Sequence, residues 1–442
     1  MDRNERRKTA RKIFDKAVQA VLPNRLISRS VVLGDNELQI LDKTYSLRPG
    51  QKVYVFGSGK AAIPMAESLL AILKDRAVGG VIVTSHLRHV DLSPLRVVEG
   101  AHPVPDEKSI AGASLLIDGL SSLHGDDLFI FLLSGGSSAL IEKPVPPLSL
   151  AEIQETTRLL LSNNVPIQQV NAIRKHLSQV KGGGLGQVTR ASGVVLVISD
   201  VIGDDLTVIG SGPLYFDPST FQQCREILRQ AGIWHKIPAE VRGVITKGVE
   251  GKIPETPKAP PDTIHHYLIG TNRIALEQAV REAGETGLNS FIMTDSLAGE
   301  AREVAKVLTA IARNISTYHE PFTPPACLLF GGETTVTLHG HGRGGRNQEL
   351  TLAALAEIGE QDNILLLSGG TDGIDGNSSA AGAIADSGFF REGSRQEMSI
   401  ATFLADNNSS AFFHAVGGLV TTGPTGTNVM DIIVLIIDKE DI

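Results

Sequence analysis

Five short apolar runs in this chain each stop at a small polar turn. Residues 53–56 run into Gly57-Ser58-Gly59-Lys60, and residues 129–133 into Ser134-Gly135-Gly136-Ser137-Ser138. Residues 194–198 meet Ser199-Asp200, residues 328–330 meet Gly331-Gly332-Glu333, and residues 364–367 meet Ser368-Gly369-Gly370-Thr371-Asp372. Unbroken apolar runs of this kind fit strands covered on both faces, as in parallel sheets. In open parallel sheets, ligands bind just beyond the carboxyl ends of the strands. Glycine there lets the backbone come close to a ligand, and a following helix start offers free N–H groups to an anion. The pattern puts phosphate-compatible chemistry at the strand ends, which is the pattern of an enzyme.

A length of 442 residues exceeds one ordinary core and predicts two domains. The net charge of −8 argues against nucleic acid as a partner, since there is no basic excess to neutralise a phosphate backbone. Residues 1–12 are charged throughout, and no apolar run approaches the length of a membrane span, so a soluble cytoplasmic protein is expected. The two cysteines, Cys224 and Cys327, are far apart and lack metal-ligand spacing, which fits a reducing compartment.

Strand and helix patterns alternate along both halves. Helices are expected over 61–76, 106–120, 149–163 (opened by a Ser149/Glu152 capping box) and 166–181, with the last stopped by Gly182-Gly183-Gly184. The segment 251–263, with four prolines and no apolar periodicity, is the best linker. It divides the chain into an N-terminal Rossmann-like α/β domain, 1–255, and a C-terminal α/β domain, 262–442. Helices between successive strands imply parallel pairing in both, and an active site in the cleft between the domains.

Four motifs carry chemistry. Gly57-Ser58-Gly59-Lys60-Ala61-Ala62 matches GxGxxA after a strand, but the next strand ends Thr84-Ser85-His86, without the acid that a dinucleotide ribose expects. It also fails as a Walker A loop, because Lys60 is followed by Ala61. What remains is a glycine turn with a lysine at a helix start, where a cation is unfavourable for the helix and points to function. The turn Ser134, Gly135, Gly136, Ser137, Ser138 lacks the GxSxG elbow and reads as a phosphate nest. Asp200 and Asp204, just beyond a buried strand, suit Mg²⁺ with phosphate oxygens, or service as a base. Arg343 and Arg346, on the glycine turn before Asn347, suit a carboxylate or a moving phosphoryl group. The run 371–376 fails as an EF-hand, because Ala383 stands where the loop needs Glu.

The stretches GSGKAA at 57–62, AHPVPDEKS at 101–109, LLSGGSSAL at 132–140 and NAIRKHLSQVKGGGL at 171–185 resemble glycerate 2-kinases of the MOFRL type. So do SDVIGDD at 199–205, GGETTVT at 331–337, GRGGRNQE at 342–349 and SGGTDGIDG at 368–376. The resemblance is nearly full length. It implies phosphorylation of D-glycerate on its 2-hydroxyl by ATP with Mg²⁺, and a C-terminal MOFRL domain. It assigns an essential lysine to Lys60 and an essential arginine to either Arg343 or Arg346, with Asn347 beside them at the substrate. Gly57, Ser58, Gly59 and the 134–138 turn would hold the nucleotide phosphates. Glycerate and the nucleotide are the implied partners, and the oligomeric state, a homodimer included, stays open. Relatives labelled hydroxypyruvate reductase make an NAD(P)H-dependent reductase the alternative.

Overall fold

The computed structural model describes residues 1–87 and 90–439. The chain forms two compact units: Leu26–Ile269, and Met1–Arg25 together with Gly270–Ile442.

In the first unit the strands lie in the order Ile264–Gly270, Ser192–Ile198, Leu128–Leu133, Val53–Ser58, Val81–Thr84 and Arg96–Glu99, with Ala77–Gly79 pairing on the Val53 strand. Neighbours from the Ser192 strand to the Arg96 strand pair in parallel. The three sequence runs of this half are its central strands, and the Leu128 strand is buried along its whole length, as expected of a sheet covered on both faces. Helices Ala62–Leu73 and Glu107–Ser121 pack against the sheet, and the second is opened by the side chain of Asp106. Helices Leu150–Ser162, Ile167–His176, Phe221–Gln230 and Ala239–Val249 bury a separate apolar cluster that includes Ile173, Cys224 and Leu228. The Ser149/Glu152 capping box is present as read.

The helix expected over 166–181 ends at His176 instead. Beyond it the chain turns inward, because the Lys181 ammonium bonds Glu142 at 2.6 Å and both groups are fully buried. Gly182 and Gly183, at φ +54° and +87°, then bond the carbonyls of Ser211 and Gly212.

The second unit holds a mixed sheet rather than the parallel one implied by alternating helices. Its order is Asn289–Leu297, Ala326–Gly332, Asp431–Ile437, Ile364–Gly370, Gly382–Asp386, Leu419–Val420. Only the first pair is parallel; the last strand of the chain inserts antiparallel between the Ala326 and Ile364 strands.

Two segments fall outside the division drawn at the proline-rich linker. The strand Ile264–Gly270, just past that linker, borders the sheet of the first unit. The helix Arg3–Ala20 belongs with the C-terminal segments. It packs on Asn272–Glu285, its Phe14 ring covers Gly369, and Arg7 grips Asp386 with Nε and Nη2 at 2.5 and 2.6 Å. Both cysteine thiols are free and buried, and among the described residues no helix is long and apolar enough to cross a membrane.

Candidate active site

At the carboxyl ends of the Val53 and Leu128 strands two turns are laced together. The Ser134 N–H donates to the Ser58 carbonyl at 3.2 Å, the Lys60 N–H to the Gly135 carbonyl at 2.9 Å, and the Ala61 N–H to Ser134 Oγ at 3.1 Å. Gly59 sits at φ +140°, and a Cβ there would stand 2.1 Å from Ser134 Oγ, so only glycine closes this turn. Gly57 lies within the strand, against Leu132. Ser58 and Ser137 are fully buried, and each has a hydroxyl without a hydrogen-bond partner among the described residues.

The Lys60 side chain is exposed and makes no hydrogen bond or ion pair among the described residues. Its methylenes pass Gly136, 3.2 Å from where a Cβ would be, and the His102 ring lies at the same distance from that point. Burial and the Lys60 charge lower the His102 imidazole below its ordinary value, which leaves it neutral near pH 7. On the other side of the turn the Asp200 carboxylate fills the space over Gly135, 1.8 Å from the position of a Cβ. The structure therefore brings Lys60, His102, the 134–138 turn and Asp200 to one set of strand ends. Asp204 follows on the loop at φ +54°, and Asp205 caps the next turn by accepting from the Thr207 N–H at 2.8 Å.

Among the described residues no group of three His, Cys, Asp or Glu is placed to hold a metal ion.

In the second unit the two arginines separate sharply. Arg346, at the start of the helix Arg346–Ile358, bonds Asp431 with Nε and Nη2 at 2.5 and 3.0 Å, and Glu333 with Nη1 at 2.7 Å. Burial alone would lower its guanidinium, but the hydrogen bonds to Asp431 and the charges of Asp431 and Glu333 raise it above the ordinary arginine value. Arg343 is exposed, and its guanidinium has no partner among the described residues.

The backbone of the Arg343 turn is fixed by short polar side chains. The N–H groups of His339, His341, Arg343 and Gly344 donate to Asn407, Asp406, Asn408 and Asn377 in turn. Its glycines are explained by packing: a Cβ on Gly342, Gly344 or Gly345 would stand 2.2 to 2.4 Å from Asn408, Ser409 or Asp375.

Asn347 is buried, with both ends of its amide engaged. Its Oδ1 accepts from Ser368 Oγ at 2.6 Å, and its Nδ2 donates to Asp375 at 3.3 Å. Asp375 also accepts from the N–H groups of Asn347 and Gln348 at 3.0 and 2.8 Å, so it caps the helix that carries Arg346. Burial, with the nearby Asp431 charge, pushes its carboxyl up to about 6 against those hydrogen bonds.

Residues 9–246 match the domain described as "Domain of unknown function (DUF4147)", and residues 326–431 match the "MOFRL family". A Pyrococcus horikoshii protein named "Glycerate 2-kinase" is 39% identical over 97% of each chain. A Thermotoga maritima protein named "D-glycerate 2-kinase" is 36% identical, again over 97% of each. The chain belongs to the DUF4147/MOFRL glycerate kinase family. Among solved structures of the family, a Thermotoga maritima glycerate kinase matches with a TM-score of 0.88 at 36% identity, over 98% of this chain and 100% of that one. A Pyrococcus horikoshii protein matches with a TM-score of 0.87 at 38% identity, over 100% and 99%.

Three polar residues beside the 134–138 turn are not singled out as site residues by sequence, although His102 and Arg174 lie within the stretches 101–109 and 171–185 that carry the family resemblance. His102 lies in a loop whose sequence gives no geometry. Ser211 reaches Ser138 with a 2.7 Å hydroxyl contact from a separate turn. Arg174 bonds the Ser138 carbonyl at 3.1 Å. A signal for Arg174 exists, since it lies one helical turn after Val170 and beside Ile173, on a face that is otherwise buried.

Proposed function

We propose that this chain is a glycerate 2-kinase, transferring the γ-phosphoryl group of ATP to the 2-hydroxyl of D-glycerate to give 2-phosphoglycerate and ADP. The observation that carries the reading is full-length similarity to proteins named for the 2-kinase reaction, in a chain whose exposed Lys60, without an ion pair among the described residues, lies on a glycine-rich turn at the strand ends.

In this reading the 2-hydroxyl oxygen attacks the γ-phosphorus while the bond to the bridging oxygen of ADP breaks, and the hydroxyl proton leaves to a base. Such transfer asks for positioning and charge neutralisation more than covalent help. The Lys60 ammonium neutralises the moving phosphoryl group. The N–H and hydroxyl groups of Gly57, Ser58, Gly59 and the 134–138 turn hold the phosphates of the nucleotide. Asp200, with Asp204, would hold Mg²⁺, which when bound shields the phosphate charges.

The proton goes to Asp200 or to His102, whose neutral imidazole shares the space over Gly136 with Lys60. Arg343, whose fork is free, takes the glycerate carboxylate. Arg346 and Asn347 act through position: their side chains are already bound to Asp431, Glu333, Asp375 and Ser368, and they fix the turn that presents Arg343.

A coupled ADP-release assay with D-glycerate, ATP and Mg²⁺ tests the reading; no ADP above background across small hydroxy acids would end it. Oxidation of NADH or NADPH by hydroxypyruvate would favour the reductase instead.

A further inference from the structure

We infer that Arg174 is the fixed positive charge of an oxyanion site on the 134–138 turn, holding that turn ready for a phosphate or carboxylate group. The inference deepens the kinase reading of this turn and rests on it.

Arg174 lies on the helix Ile167–His176 and donates from Nη2 to the Ser138 carbonyl at 3.1 Å. That is the one hydrogen bond its guanidinium makes among the described residues, and its Nε is buried without a partner. Glu142 is the carboxylate whose charge it feels, yet Glu142 is already occupied. One of its oxygens takes Lys181 Nζ at 2.6 Å, and the other takes Ser178 Oγ at 2.5 Å and the Lys143 N–H at 3.0 Å. Two mostly buried cations thus share one carboxylate, and a positive charge is left over behind the turn.

The neighbours on the same helix do not relieve it. Lys175 faces Asp217 at 3.4 Å, and His176 faces Glu255 at 3.0 Å. On the turn itself the fully buried Ser137 hydroxyl also lacks a partner among the described residues. A covered guanidinium without a counter-ion costs stability unless something compensates it. An oxyanion on the turn compensates it and gives the idle Ser137 hydroxyl an acceptor. The arrangement gives Arg174 a positioning role, exerted through the Ser138 carbonyl and through its field.

The test compares the full-length wild type with Arg174→Met and Arg174→Lys. Inorganic phosphate and D-glycerate serve as probes in thermal-shift titrations, alongside steady-state KM and kcat for both substrates. One or both anions should stabilise the wild type. In Arg174→Met the affinity for that anion should fall ~10–100-fold, the size of one charge-assisted contact, with KM rising by more than kcat falls.

Arg174→Lys should recover part of the loss, because the charge stays while the fork is lost. Weakened phosphate binding alone assigns the site to phosphate; weakened glycerate binding alone assigns it to the carboxylate. Arg174→Met binding both anions like the wild type overturns the inference, as does a wild type that neither anion stabilises. Should Arg174→Met not fold, Arg174→Lys carries the test, and unchanged affinity in it overturns the inference. Anion binding is read without turnover, so a failed kinase assay leaves this result independent.

Discussion

Replacing Arg346 and Arg343 by alanine should separate stability from activity, because two arginines three residues apart are used in opposite ways. Arg346 makes three contacts to two carboxylates, and the Asp431 side chain beneath it is only 6% exposed. Removing the arginine strands that carboxylate close to Asp375, whose own carboxyl already feels its charge. Breaking a buried pair from one side costs about 3–5 kcal/mol. The Arg346 side chain is 31% exposed, so water reaches part of the gap and about 2–3 kcal/mol is the expected loss. For a domain of roughly 150–250 residues that lowers the melting point by about 4–12 °C.

Arg343→Ala removes an exposed side chain whose guanidinium has no hydrogen bond or ion pair among the described residues, and should change stability by no more than about 0.5 kcal/mol. Its activity should nevertheless fall ~10²-fold or more, chiefly through KM for glycerate. Arg346→Ala combined with Asp431→Asn should regain over half of the lost stability, since the stranded charge is gone. Differential scanning calorimetry and kinetics on the same four preparations decide it. If Arg346→Ala melts with the wild type, or if Arg343→Ala is the unstable variant, the division of labour described here is wrong.

Other consequences follow from single contacts. Lys60→Ala should lower kcat ~10²–10³-fold with little rise in KM for ATP and an unchanged melting point, and near-normal turnover would remove Lys60 from the reaction. Glu142→Gln leaves the Lys181 and Arg174 charges buried without a carboxylate, so urea denaturation should show a loss of about 3–5 kcal/mol; a loss under 1 kcal/mol would contradict the buried pair. Asp375, raised to about 6 from 3.8, prefers its protonated form when folded. Its contribution to stability is therefore complete below pH about 4 and is lost as pH rises through about 6, by at most about 3 kcal/mol. The stability of wild type relative to Asp375→Asn should fall over that interval and then flatten, and a pH-independent difference would refute the shift.

Much of this was legible because the responsible interactions are local. An apolar run that stops at glycine is a strand end wherever it falls, and the Ser149/Glu152 box caps its helix with groups three residues apart. What stayed hidden depends on distant partners. Nothing near Asp431 announces that its strand runs antiparallel between two others, because a fully buried strand is equally apolar in either direction. The helix Arg3–Ala20 carries an ordinary amphipathic pattern, and its place is fixed by Gly369 and Asp386, far along the chain. Asp375 reads as a site acid or a cap with equal ease, and only the position of the Asn347 and Gln348 N–H groups makes it the cap. The glycines around Arg343 suggested a ligand loop, yet each is required by packing, so the case for that turn now rests on the free guanidinium.

The most direct test of the account is to follow D-glycerate, ATP and Mg²⁺ with the purified chain by phosphorus NMR. The account predicts loss of the γ-phosphate signal and growth of 2-phosphoglycerate and ADP in equal amounts, abolished by Lys60→Ala. ATP left intact, or a product phosphorylated on the 3-hydroxyl, would contradict it.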